Sequence, residues 1–284
     1  MTQVNLRGRS IAITGASSGI GAATAIACAR AGMHVAIMAR RAGKLAEVAI
    51  RCREAGAALG TKVLVVEGDV ADAAACKRLV DESVATFGTL YAVYANAGYG
   101  FEKSMVETSE QELRRIFEVN FFGTMNLVRP AVEYFMSRPF EGDARRRPRG
   151  HVLICSSCLA KMTLPRYGAY SATKAAQSHI GRAMRHELEP KGIAVSTVNP
   201  ISTSSEFFDT VRQNTGVSNL AMHTPGFWFQ TPDKVARCTV DCLVRPEPEV
   251  WTGVRGRITR LGTAVCTLLP FLPDLLFRKM ARAR

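Results

Sequence analysis

Short apolar runs alternate with longer amphipathic stretches along most of the chain. SIAIT (10–14), HVAIMA (34–39) and KVLVVEGDV (62–70) have strand length, and a small-residue helical pattern to Gly32 and a second through Leu59 separate them. The alternation continues with a helix over 72–87, LYAVYANAG (90–98), a long helix from about Ser104 to Met136, HVLICSS (151–157), a helix carrying Tyr170, IAVSTVNP (193–200) and EVWTG (249–253). The strand segments are continuously apolar rather than alternating, the pattern of a parallel sheet covered by helices on both faces. This βαβ rhythm predicts a doubly wound α/β domain. No internal repeat or low-complexity linker divides it, so one domain over residues 1–257 is expected, followed by a tail over 258–284.

Two segments leave the rhythm. RPFEGDARRRPRG (138–150) reads as a solvated Pro- and Arg-rich loop between a helix and a strand. Residues 201–230 form a long stretch, polar and then aromatic, and long loops in compact domains are commonly lids or binding segments. Its Phe207, Phe208 and Phe227–Phe229 either line an apolar cleft or pack the lid on its own domain. In the tail, Leu261 to Phe277 is apolar but interrupted by Pro270, Pro273 and Asp274, and Arg278, Lys279, Arg282 and Arg284 follow. It is too short to span a bilayer, which takes about 20 apolar residues. Two readings stay open: contact with a membrane surface through 261–284, or packing on a sister subunit.

With 284 residues, 47% of them hydrophobic, the chain can bury a substantial core. Its net charge of +13 suits an anionic partner: a phosphorylated cofactor, a nucleic acid or an acidic membrane. No basic stretch carries interleaved aromatics, which argues against nucleic acid. The N-terminus enters the first strand without a long apolar leader, so a cytoplasmic location is expected, with the cytoplasmic face of a membrane as the peripheral alternative. Eight cysteines are dispersed, mostly within apolar segments, and read as reduced core thiols. The Cys155-Ser-Ser-Cys158 spacing and the Cys238/Cys242 pair also admit a metal or redox site, but one closes a strand and the other sits one helical turn apart, so no metal is expected.

Candidate chemistry lies at three places. Gly15, Ser17, Ser18, Gly19, Ile20 and Gly21 form a glycine-rich turn between the first strand and first helix, where backbone N–H groups and the helix dipole favour a pyrophosphate. The second strand ends without the acid that accepts an NAD ribose hydroxyl; Arg40 and Arg41 stand there instead, which favours the 2′-phosphate of NADP(H), with Arg40 expected to lead and Arg41 and the Ser17 hydroxyl to assist. Tyr170 and Lys174 are four residues apart on a helix, which puts their Cβ atoms roughly 5–6 Å apart. At an effective dielectric of ~20, the ammonium would favour the phenolate by about 3 kcal/mol, or about two pKa units.

In the order and spacing of TGASSGIG, the GDV at Asp69, NAG at Asn96–Gly98, Asn120, Ser156–Ser157, YSATK and Asn199–Pro200, the chain resembles the short-chain dehydrogenase/reductase family through about Thr252. The resemblance implies a seven-stranded Rossmann-type sheet of order 3-2-1-4-5-6-7 and a homodimer or homotetramer. It implies Ser157, Tyr170, Lys174 and Asn120 as the catalytic set, Ser157 being preferred to Ser156 because it lies thirteen residues before Tyr170. Tyr170 would transfer the proton, Lys174 would lower its pKa and hold the nicotinamide ribose, and Asn120 would hold a relay water. Asp69 and Val70 would hold the adenine, and Asn96, Ala97 and Gly98 would line the cofactor site, with Pro200, Ile201 and Ser205 beyond. Ser205 stands for a usual threonine, whose hydroxyl it can replace, and Ile201 for a usual glycine; because a β-branched residue resists positive φ, either a rebuilt turn after Pro200 or an altered cofactor affinity is expected. The expected activity is NADPH-dependent interconversion of a ketone and a secondary alcohol, with an apolar small molecule as substrate. A 3-oxoacyl-thioester reductase and a catalytically silent NADP-binding regulator are the alternatives.

Overall fold

The structure, a computed structural model, describes residues 3–140, 148–162, 164–215, 226–269 and 271–272. Seven strands form one parallel sheet in the order β3-β2-β1-β4-β5-β6-β7: β1 (Ser10–Thr14), β2 (His34–Ala39), β3 (Val63–Glu67), β4 (Ala92–Ala95), β5 (Gly150–Cys155), β6 (Ile193–Asn199) and β7 (Glu249–Trp251). The helices are α1 (Gly19–Arg30), α2 (Ala42–Gly56), α3 (Ala73–Phe87), α4 (Glu110–Phe117), α5 (Gly123–Ser137), α6 (Gly168–Leu188), α7 (Phe207–Thr215), α8 (Pro232–Val244) and α9 (Gly253–Leu268).

The continuous apolar strands are explained by two cores. Ile11, Ile13, Val35, Ile37, Tyr94 and Leu153 point to one face, under α1, α2 and α8. Ala12, Ala36, Met38, Val93, Val152 and Ile154 point to the other, under α3, α5 and α6. Successive residues thus serve opposite layers, and none of these positions can be polar without a partner. The glycine-rich turn, Asn96 and Ser157 all follow strand C-termini, so the sheet delivers them to one edge. β1 lies between β2 and β4, and it is there that the chain order reverses and a crevice opens.

The stretch from Ser104 to Met136 is not one helix. α4 begins at Glu110 because Ser109 and Glu112 form a capping box: Ser109 Oγ accepts from the Glu112 amide (3.2 Å), while the Ser109 amide donates to Glu112 Oε2 (2.8 Å). A π turn over Glu118–Phe122 then separates α4 from α5. Most of the Pro- and Arg-rich loop, at 141–147, and the tail from 273 onward lie outside the described residues, as do 216–225 of the segment after β6. All eight cysteines are free thiols, and among the described residues no group of His, Cys, Asp and Glu is arranged to hold a metal.

His151 in β5 is fully buried, with Nε2 at 2.8 Å from Ser196 Oγ and Nδ1 without a hydrogen-bond partner. Burial lowers its pKa to about 3. The folded protein therefore binds fewer protons than the unfolded chain, whose imidazole titrates near about 6.5. This contribution is complete above that pH and declines as pH falls towards the folded value, by about 2 kcal/mol between pH 6.5 and 5. Thermal unfolding followed over that interval should show the loss, and a His151→Gln variant should show a flatter dependence whatever its absolute Tm.

Candidate active site

The crevice is fixed by hydrogen bonds between the ends of β1 and β4. Thr14 Oγ1 accepts from the backbone amides of Asn96 (3.2 Å) and Ala97 (3.3 Å), and Asn96 Nδ2 donates to the carbonyls of Thr14 (3.0 Å) and Gly15 (3.3 Å). The turn beneath needs glycine for two reasons. Gly19 has φ 56°, and at Gly21 a Cβ would lie 2.4 Å from the Gly15 carbonyl oxygen and 2.5 Å from Asn96 Nδ2. Ser18 is the N-cap of α1 but makes no side-chain hydrogen bond to it, leaving the first N–H groups of that helix to another acceptor. An uncapped helix start beside a backbone cradle fits a dinucleotide pyrophosphate.

At the end of β2 the two arginines differ. Arg41 lies over the turn, with Nε and Nη2 donating to Ser17 Oγ (3.2 and 2.9 Å) and Nη2 to Ser18 Oγ (2.8 Å). Arg40 points to the adjacent rim, 3.6 Å from Asp69, and is largely exposed. The Asp69 carboxylate also receives Arg115 (3.2 Å) and the Ala71 amide (3.0 Å), while the Val70 carbonyl accepts from Asn126 (2.9 Å). Sequence reading missed Arg115, because it reaches the rim from the end of α4. It also missed Lys44 and Glu206, whose side chains meet across the cleft.

At the other end, α6 and the C-terminus of β5 bring Ser157, Tyr170 and Lys174 together. Ser156 is committed to the scaffold, its hydroxyl donating to the Lys174 carbonyl (2.9 Å). Ser157 Oγ accepts from the Leu159 amide (3.1 Å) and is hydrogen-bonded with the Tyr170 phenol. Lys174 Nζ donates to the Cys155 carbonyl (2.8 Å) and lies 5.6 Å from the centre of the Tyr170 ring. The expected downward shift of the phenol is not what this arrangement produces. Burial pushes the Tyr170 pKa well above the ordinary range, nearby Cys155 reinforces it, and the Ser157 hydrogen bond opposes it. Burial also lowers the Lys174 pKa, against an opposing pull from Cys155. The spacing argument treated the pair as exposed to water, whereas desolvation dominates in a buried site.

Asn120 sits in the π turn, fully buried. Its Nδ2 donates to the Tyr99 carbonyl (2.9 Å) and Thr173 Oγ1 (3.0 Å), and its Oδ1 accepts from the Tyr99 amide (3.0 Å). Its backbone carbonyl accepts from Thr124 (2.8 Å) and Gln177 (2.7 Å), so a relay water on that oxygen would have to share or replace those partners. Beyond β6, Ile201 is buried at negative φ, since Arg166 alone among the described non-glycine residues has positive φ. In the turn around it the Ile201 carbonyl accepts from Thr203 Oγ1 (2.8 Å), and the Pro200 carbonyl from the Cys158 amide (3.0 Å). Ser205 lies against the glycine-rich turn, where a Cβ on Gly19 would stand 3.2 Å from its own.

Ser157, Tyr170, Lys174, Ser17, Ser18, Gly19, Arg40, Arg41, Asp69, Ile201 and Ser205 line one cavity of 1090 Å³, with Ala97, Gly98 and Ile20 on the cofactor side, whereas Asn120 lies behind its wall. Leu159, Leu164, Phe207, Phe208 and Trp228 supply apolar wall, and α9 adds Ile258, Thr259, Gly262, Thr263 and Cys266. Rings run from Tyr170 to Phe207 (5.3 Å between centroids), Phe208 (5.5 Å) and Phe229 (5.5 Å). Aromatics of the 201–230 segment therefore both line the cleft and pack on one another. Phe227 alone of those named is largely exposed.

The glycine-rich turn at the crevice and the Ser-Tyr-Lys group across from it both fall within residues 9–216, the span that matches the short chain dehydrogenase family model. The chain belongs to this family of oxidoreductases. 11-beta-hydroxysteroid dehydrogenase A of Sesamum indicum is 34% identical over 283 residues, covering 97% of this chain and 76% of that one. Two Arabidopsis thaliana relatives of the same naming, at 32% and 37% identity, are spanned over only 61% and 49% of their length. Among solved structures, an alcohol dehydrogenase of Thermococcus sibiricus complexed with 5-hydroxy-NADP is 26% identical with a TM-score of 0.70, over 85% of this chain and 94% of that one. The 3-ketoacyl-(acyl-carrier-protein) reductase of Brucella melitensis complexed with NADH is 25% identical, TM-score 0.73, over 88% and 99%.

A Gly21→Ala variant tests the cradle. Its methyl group must displace the Gly15 carbonyl or Asn96, so a stability loss of about 1–3 kcal/mol is expected, together with weakened binding of a reduced nicotinamide dinucleotide, by thermal unfolding and fluorescence titration.

Proposed function

We propose that the protein is an NADP(H)-dependent oxidoreductase interconverting a ketone and a secondary alcohol on an apolar, lipid- or steroid-like substrate. The observation that carries this reading is the shared cavity: Ser157, Tyr170 and Lys174 at one end, the glycine-rich turn with Arg40 and Arg41 at the other, and apolar wall between. Arginines at the end of β2 favour a 2′-phosphate through charge-assisted hydrogen bonds. When bound, the reduced nicotinamide supplies the hydride for the carbonyl carbon.

The chain's own residues handle the proton. The Ser157 hydroxyl donates a hydrogen bond to the substrate oxygen as charge builds on it. Tyr170 gives that oxygen its proton, so hydride and proton together convert C=O to CH–OH. Burial keeps the phenol protonated at neutral pH, the state that reduction requires. Lys174, held by the Cys155 carbonyl beside the ring, stabilises the phenolate left behind. Asn120 is a positioning residue that ties the Tyr99 backbone to Thr173 of α6. Tyr170→Phe should abolish turnover in an NADPH-coupled screen across ketones and 3-oxoacyl thioesters, while NADPH binding by fluorescence stays within about threefold. Wild-type rates in that variant would remove the proton-donor role, and turnover confined to thioesters would replace the ketone reading.

The end of the chain supports a peripheral contact with an anionic lipid surface. Val254, Ile258, Leu261, Val265 and Leu268 form an exposed stripe on α9, which carries Arg255, Arg257 and Arg260 and no acid. That charge complements acidic headgroups and disfavours pairing with a second, equally basic copy. Among the described residues no helix is long and apolar enough to cross a membrane. The boundary between domain and tail, set at 257/258, falls within α9, whose adjoining face lines the cavity, Ile258 belonging to both. The wild-type protein should sediment with phosphatidylglycerol-containing vesicles, and a Leu261→Glu, Leu268→Glu variant should remain in the supernatant with its nucleotide binding intact. If both stay in the supernatant and the variant alone changes oligomeric state, the stripe is a subunit contact.

A further inference from the structure

Glu206 has no part in the chemistry described so far. It precedes α7 on the far side of the cleft, yet its carboxylate reaches the helix that follows β2. Oε2 accepts from Arg41 Nη1 at 2.8 Å and Oε1 accepts from Lys44 Nζ. The rest of the Arg41 guanidinium is held by the hydroxyls of Ser17 and Ser18 in the glycine-rich turn. Lys44, then Arg41 and Ser18, hold the Glu206 pKa at about 2 against the opposing effect of burial, so the group is an anion throughout the neutral range. It thus neutralises, from within the chain, the cations that stand where a nucleotide 2′-phosphate would bind.

We propose that Glu206 is an internal competitor for the cofactor's 2′-phosphate, which must displace it from Arg41 and Lys44 on binding. The inference rests on the NADP(H) reading and adds Glu206 and Lys44 as determinants of cofactor discrimination. A ribose with a free 2′-hydroxyl leaves both ion pairs in place, so Glu206 weakens NADP(H) binding selectively. Its release also reaches the reacting groups. The next residue, Phe207, packs on the Tyr170 ring and on Gly100, where a Cβ would lie 2.7 Å from Phe207 Cζ. Phosphate binding at one end of the cavity therefore frees the start of α7 at the other, a coupling between two sites through one short segment.

Calorimetric titration of the full-length protein with adenosine 2′,5′-bisphosphate and with 5′-AMP separates the phosphate from the rest of the nucleotide. Glu206→Gln should bind the bisphosphate about three- to tenfold more tightly, the range for releasing two half-exposed ion pairs, with 5′-AMP unchanged. Glu206→Asp, which keeps the charge on a shorter arm, should fall between. In the wild type, hydrogen exchange over 207–215 should rise with the bisphosphate and not with 5′-AMP. An unchanged bisphosphate affinity in Glu206→Gln, or an equal gain for both ligands, overturns the competition while leaving the NADP(H) reading intact. If neither protein prefers the bisphosphate to 5′-AMP, the NADP(H) reading falls and the competition with it.

Discussion

The cleft depends on the way β1 and β4 part at their C-terminal ends. In a parallel sheet of order 3-2-1-4-5-6-7, the connections from these neighbours leave for opposite faces, and the gap between them is the one place where a ligand can meet several strand ends at once. Thr14 and Asn96 determine its width, because their hydrogen bonds join the two chains just past the last ladder pairs. The glycine-rich turn is packed under that joint so closely that Gly21 has no room for a methyl group. Cofactor cradle and sheet geometry are thus one structural unit.

The reacting end is governed by desolvation. Tyr170 and Lys174 are buried, and each finds its charged form disfavoured by burial. A carbonyl of β5 supports the ammonium, and a serine hydroxyl supports the phenol. In this environment the lysine matters most for a phenol that carries charge. A dry site makes a phenol hold its proton more tightly and strengthens every interaction with its anion.

Much of the frame was legible in the sequence because it follows from local pattern. β1, β2 and β6 fall on SIAIT, HVAIMA and IAVSTVN, since a sheet covered on both faces requires unbroken apolar runs. Ser157 was separable from Ser156 by its distance to Tyr170, and the structure brings Ser157 to the phenol while Ser156 bonds to α6 backbone. The interruption of the long helix was readable in part: Ser109 and Glu112 spell a capping box, but nothing in the periodicity announces a π turn. Arg40 was expected to lead with Arg41 and the Ser17 hydroxyl assisting, yet it is Arg41 that bonds the Ser17 and Ser18 hydroxyls while Arg40 turns to Asp69. Lys44 and Glu206 were invisible, being 162 residues apart and joined by no local rule. The pKa of Tyr170 was misjudged for the same reason: spacing along a helix reports proximity and says nothing of water.

The π turn also sets how α4 faces α5. Its wider winding between Glu118 and Phe122 takes up one residue more than an α-helix would over the same rotation. An ordinary helix with the same number of residues in its place would turn α4 by about 100° against α5. Asn120 would leave Tyr99 and Thr173, and Arg115 would swing off the rim at Asp69. What the segment must keep is its winding and Asn120: tightening it to α geometry without losing a residue would disturb both ends of the cavity together.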